Sequence, residues 1–98
     1  MGKDFLDEMV AARAERNPEF PRLVAEAEFR RKTARLLAAK REKRGFSQTV
    51  VAAMMGTSAS VVSKLEAGAD VKLSTLQRYC AAIGESLNIA AVRRAPAR

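Results

Sequence analysis

The sequence predicts a small all-α fold of five helices closed by one short C-terminal β-strand. Three observations carry this. Helix-capping and helix-stopping residues recur through Gly45–Gly84. Apolar residues before Gly45 repeat with a helical period. The period then changes to strict alternation at 86–92. The 98 residues allow one small domain with a single compact core.

The first helix is expected over residues 4–16. Asp4 caps it, Asp7 and Glu8 complement its first-turn dipole, and Phe5, Met9 and Ala12 share a face flanked by Leu6 and Val10. Asn17-Pro18 ends it and opens the second helix, about 19–44, with Pro18 at the first helical position. Phe20, Leu23, Val24, Ala27, Ala34, Leu37 and Ala38 keep the period. The stripe is weak at Phe29–Lys32, so one helix or two are both open. Gly45 stops it. Ser47 caps the third helix and Gly56 breaks it; Ser58 caps the fourth, about 59–67. Gly68 and Asp70 make a turn, Ser74 caps the fifth, about 75–83, and Gly84 closes it. In 86–92, Leu87, Ile89 and Ala91 alternate with Asn88, Ala90 and Val92. A lone strand leaves its backbone unpaired, so pairing with the same strand of a second copy is one reading. A frayed tail or an extra helical turn is the other.

Charge divides the chain. Residues 1–28 carry four Lys/Arg against seven Asp/Glu, 29–48 carry eight against one, and 49–98 six against three, within a total of +7. The basic block fits a polyanionic partner, and equally a solvated helix face. Catalysis is not expected. There is no His, the single Cys80 has no imidazole partner, no metal-ligand spacing occurs, and the five Gly form no phosphate loop. No cofactor is expected. The acidic start and the short apolar runs predict a cytoplasmic protein with no signal peptide and no membrane contact.

Ser47–Gly68 carries the functional signal. Two short helices around a glycine turn, with small residues where they touch (Ala52 and Ala53), describe a helix-turn-helix. Val62 and Leu65 face inward, leaving Ala59, Ser60, Ser63 and Lys64 outward. Such short side chains let a helix backbone approach base edges in the major groove. Gln48, at a helix N-terminus, is suited to a phosphate. Lys40, Lys43 and Arg44 are either phosphate contacts or an ordinary basic helix end. Met54 and Met55 read as core or solvent-edge residues rather than a cofactor box.

These residues resemble the Xre/Cro/phage-repressor family. The likeness runs through Arg41-x-x-x-Gly45-Phe46-Ser47-Gln48, Ala52, Gly56, Ser58, Val62-Ser63-x-Leu65-Glu66-x-Gly68 and Leu73-x-x-Leu76, about half the chain. The resemblance implies a lambda-repressor-like domain over 33–84, with a helical extension at 1–32 and a dimerisation strand with basic tail at 85–98. It implies base-reading positions at Ser58, Ala59, Ser60, Ser63 and Lys64, with Thr57 and Arg44 beside them and a phosphate contact at Gln48. Thr57 departs from the usual aliphatic residue, and Cys80 from the usual Ala. For Arg41 a phosphate contact is one reading; the resemblance implies instead an ion pair with Glu66. A dimer through Leu87, Ile89 and Ala91 would read an inverted repeat in double-stranded DNA, its recognition helices ~34 Å apart.

The stretches NPEFPRLVAEAEFRRK and ADVKLSTLQRYCAAIGESLNIAAV further resemble the HigA-type antitoxins of toxin–antitoxin operons. This implies a repressor of its own operon that neutralises an mRNA-cleaving toxin of RelE/HigB type. The N-terminal segment is then a docking site for the toxin, with Phe5, Leu6, Met9 and Val10 as anchors and Asp7, Glu8 and Glu15 around them; packing on the chain's own core is the equal alternative. A stand-alone or prophage repressor without a toxin, and a protein-interaction adaptor on the same fold, are the competing functions.

Overall fold

A computed structural model of the protein describes residues 18–95. Four α-helices follow in order: α1 Phe20–Lys43, α2 Gln48–Met55, α3 Ala59–Glu66 and α4 Leu73–Ala82. Among the described residues there is no strand. This corrects the expectation of five helices plus a terminal strand. The helix expected over 4–16 lies outside the described residues. Residues 85–95 follow an irregular path. The physical reason is the one the sequence already poses: a single alternating segment has no ladder partner among the described residues. Leu87 instead packs against the chain's own core, while Ile89 is 68% exposed and Ala91 is exposed.

α1 is a single unbroken helix. The weak apolar stripe at Phe29–Lys32 does not interrupt it, because its residues are good helix formers and ion pairs span its turns. Arg22 meets Glu26 at 2.9 Å, and Arg31 meets Glu28 at 2.7 Å. Pro21 is tolerated in the first turn, where no intrahelical N–H bond is lost.

The remaining helices are short and defined by their ends. The Ser47 hydroxyl accepts from the Val50 N–H at 3.1 Å, and the Ser58 hydroxyl from the Val61 N–H at 3.3 Å. Each helix then closes with a paired backbone motif around a glycine. At the end of α2, Gly56 donates to Ala53 and Thr57 to Ala52; at the end of α3, Gly68 donates to Leu65 and Ala69 to Lys64. α4 starts earlier than expected. Lys72 in extended conformation precedes it with no side-chain cap, so Ser74 lies inside the helix.

The core consists of Leu37 from α1, Val51 and Ala52 from α2, Val62 and Leu65 from α3, and Tyr79, Cys80 and Ile83 from α4 onward. Phe46, Met55, Val71, Leu76 and Leu87 pack around it. Ala52 is buried in the core and Ala53 is exposed, so only one of the two small residues expected at the crossing is packed inside. Met55 packs on the core, and Met54 is 49% exposed. No described helix is long and apolar enough to cross a membrane.

Candidate nucleic-acid interface

The α2–turn–α3 unit presents one face of α3 to solvent. Val62 and Leu65 are buried, which fixes the opposite face outward. Ser58, Ser60, Ser63 and Lys64 are exposed, as is Thr57 just before them. Ala59 is half-buried and packs against the core, so it contributes less outward surface than its neighbours. The exposed rod spans eight residues, about 12 Å. Its side chains are short except Lys64, which lies in the last turn where a cation suits the helix dipole.

Behind this face lies a buried polar cluster at the C-terminal end of α3. Glu66 is its centre, with its side chain only 6% exposed. Arg41 of α1 donates through Nε to Glu66 Oε2 at 2.6 Å and through Nη2 to Oε1 at 3.0 Å. The third Arg41 donor, Nη1, reaches the Phe46 carbonyl at 2.7 Å. Gln48 Nε2 of α2 donates to Glu66 Oε1 at 3.0 Å, and the Tyr79 hydroxyl of α4 donates to Oε2 at 2.5 Å. All four described helices therefore meet at one carboxylate. Burial alone would raise the Glu66 pKa, but the bonds from Arg41, Gln48 and Tyr79 outweigh it and hold the group below its ordinary value. Burial, then the bond to Glu66, push the Tyr79 phenol well above its usual range. The bond to Glu66 raises the Arg41 pKa further, so Arg41 is charged at any working pH.

Arg41 thus faces into the protein. Gln48 gives one amide N–H to Glu66, and it sits at the start of α2, whose first N–H groups carry no intrahelical bond. Arg44 is exposed but held in place. Its guanidinium carbon lies 6.0 Å from the Phe46 ring centroid and it packs against Gly84. Lys40 pairs with Glu85 at 3.6 Å, whereas Lys43 is exposed on the same helix end. Phe5, Leu6, Asp7, Glu8, Met9, Val10 and Glu15 lie outside the described residues.

The chain matches a helix-turn-helix family over residues 37–89, more than half its length. The chain is a helix-turn-helix protein of the Xre and lambda-repressor type. No curated protein and no solved structure matches it. Membership makes this helix-turn-helix protein a DNA-binding transcription regulator, in a family whose members are generally not enzymes.

Two parts of the helix-turn-helix support escaped sequence reasoning. One is Tyr79, the sole tyrosine, sitting in an apolar stripe with Cys80 and Ile83. A buried phenol needs a partner, and that need was the available signal. The other is the grip of α1 on the end of α3. Arg30 Nε donates to the Gly68 carbonyl at 3.3 Å. A Cβ on Gly68 would lie 2.7 Å from Arg31 Cγ and 3.0 Å from its Cα. Gly68 is therefore required twice over, by its positive φ of 93° and by this close approach. No local pattern reveals a contact between residues so far apart in sequence.

Proposed function

We propose that this protein is a sequence-specific transcriptional repressor, reading DNA with the exposed face of α3 and serving as the antitoxin of a HigBA-like module. The observation that carries the DNA reading is the row Ser58, Ser60, Ser63 and Lys64, exposed on a helix whose other face is locked by Val62 and Leu65. Ser hydroxyls donate to or accept from base edges, and Lys64 reaches guanine or a phosphate. Thr57 precedes the row, Arg44 at the end of α1 adds a cation for the backbone, and the N-terminus of α2 meets a phosphate. The adaptor alternative would favour bulky or acidic residues on this face, and none is there.

The antitoxin role is supported by the resemblance of residues 17–32 and 69–92 to HigA-type proteins, and it implies a RelE/HigB-type toxin as second partner. A stand-alone repressor is the remaining alternative; the DNA-reading face is the same in both. A homodimer on an inverted repeat completes the proposal, with Ile89 and Ala91 exposed on the C-terminal segment for a second copy while Leu87 packs on the chain's own core.

The test is a gel shift on the DNA upstream of the protein's own gene, at two salt concentrations. Binding should fall steeply with salt. Ser60→Ala should weaken the cognate site selectively, and Lys64→Ala should weaken all sites. Equal loss on cognate and random DNA with Ser60→Ala would mean that the helix does not read bases. Co-expression with the neighbouring reading frame tests the toxin: rescue of growth and co-purification are expected, and their failure leaves a repressor without one.

A further inference from the structure

α1 carries apolar residues on two faces. One meets the core through Ala34 and Leu37, with Arg41 beside them. The other is a row of Ala25, Phe29, Lys32, Leu36 and Ala39, all exposed and spaced four, three, four and three residues apart. That is the heptad spacing that keeps one stripe of a helix against a second helix. Phe29 is 71% exposed and Leu36 61%, large apolar side chains to leave bare on a helix this well ordered by its other face. Charge divides along the edge of the same row. Glu28 lies before its middle, Arg35 after it. Glu28 Oε1 accepts from Arg31 at 2.7 Å, which leaves Oε2 for another cation. Among the described residues no carboxylate lies within ion-pair distance of Lys32 or Arg35.

We propose that α1 is a dimerisation helix, packing antiparallel on α1 of a second copy through this row. The argument for a second copy is self-complementarity. With the two-fold axis between Arg30 and Arg31, Phe29 lies beside Lys32 of the second copy and Ala25 beside its Leu36. On the flank, Glu28 meets Arg35 of the second copy, within reach of the same Lys32. Every contact is made twice, as a two-fold interface requires. The Lys32 stem covers the Phe29 ring while its ammonium turns out toward Glu28 of the second copy. Parallel packing would instead set Lys32 against Lys32, so charge fixes the orientation. A partner of uniform charge would suit one end of the row and be opposed at the other. The inference rests on the homodimer of the proposed function and deepens it by giving it a surface on α1. It needs neither Ile89 nor the exposed face of α3.

The test is sedimentation equilibrium of the full chain without DNA, so that loss of the dimer and loss of DNA reading register separately. Circular dichroism checks that each variant is folded. The parent should be a dimer. Glu28→Lys should raise the dimer dissociation constant at least roughly tenfold, because it sets three cations together across each flank. Lys32→Glu combined with Arg35→Glu should do the same with three carboxylates. An equimolar mixture of these two weakened chains should recover the dimer mass, since each now complements the other. Ile89→Glu should leave the parent dimer intact. A monomeric parent overturns the proposal, as does a Glu28→Lys chain that dimerises like the parent. A mixture that recovers no dimer overturns the antiparallel register. A dimer broken by Ile89→Glu and not by Glu28→Lys assigns the second copy to the C-terminal segment, and the row on α1 is then not its seat.

Discussion

Replacing Arg41 by Ala is the sharpest probe of the cluster that orients α3. The guanidinium makes two bonds to Glu66, at 2.6 and 3.0 Å, and one to the Phe46 carbonyl at 2.7 Å. Removal leaves a carboxylate that is almost wholly shielded from water, with Gln48 and Tyr79 as its remaining donors. Breaking a buried pair from one side typically costs ~3–5 kcal/mol, because the other charge stays behind uncompensated. A domain of this size has a total stability of only about 5–10 kcal/mol. Each kcal/mol shifts Tm by about 4–8 °C at this size. Arg41→Ala should therefore lower Tm by at least about 12 °C, measured by circular dichroism with urea titration alongside. Arg41→Lys keeps the charge but loses the forked geometry, and should fall between the two. Arg41→Met combined with Glu66→Gln removes both charges, and should recover part of the loss. If Arg41→Ala melts within 2 °C of the parent while DNA affinity collapses, the residue serves DNA rather than the fold, and the reasoning fails.

Four further outcomes follow from the same geometry. Tyr79 has a folded pKa raised above its ordinary value of about 10. Its contribution is thus complete below pH ~10 and is lost as pH rises further; Tyr79→Phe should melt lower at neutral pH yet show a flatter alkaline profile. Glu66 has a lowered folded pKa, so its contribution is present above pH ~4.3 and is lost as pH falls through the folded value; acid melts should flatten in Glu66→Gln. Gly68→Ala should cost well over ~2 kcal/mol, combining left-handed strain with collision against Arg31, whereas Gly56→Ala, with open space around it, should cost only the ~1–2 kcal/mol of strain; equal losses in denaturant melts would discount the contact with Arg31. Cys80 is buried and its thiol pKa is raised by burial and by the Glu85 carboxylate, so its labelling by a thiol reagent should track global unfolding, and fast labelling of the native protein would contradict its place in the core.

Much of the helical part was legible because its signals are local. Ser47 and Ser58 reveal caps through a bond spanning three residues, and Gly45, Gly56, Gly68 and Gly84 reveal stops through a conformation other residues avoid. The inward Val62 and Leu65 follow from period alone. The misreadings arise where a distant partner decides. Alternation at 86–92 looks like a strand, but a strand exists only with a neighbour, and Leu87 finds the core instead. Ser74 looks like a cap, yet α4 begins two residues earlier than expected because Lys72 already takes the extended conformation. The bond from Gln48 to Glu66, eighteen residues along the chain, is likewise invisible to any local pattern.

Under the proposed function, that shared carboxylate also accounts for how so plain a surface would read DNA. Long side chains tolerate an error in helix placement, because they can bend toward their targets. Serines cannot, so the placement of the backbone itself must be accurate. α3 is only about 12 Å long, and a tilt of ~10° would displace its far end by ~2 Å, enough to open a hydrogen bond from a Ser hydroxyl to a base edge. Hydrophobic contacts resist such a tilt without directionality, since burial of Val62 and Leu65 favours no single angle. Directional bonds resist it strongly. Arg41, Gln48 and Tyr79 converge on Glu66 from three different helices, and Arg30 holds the Gly68 carbonyl just beyond. The buried charge is thus better understood as a device for fixing the angle of α3, the proposed reading helix, than as a source of net stability, which a hydrophobic replacement would supply equally well.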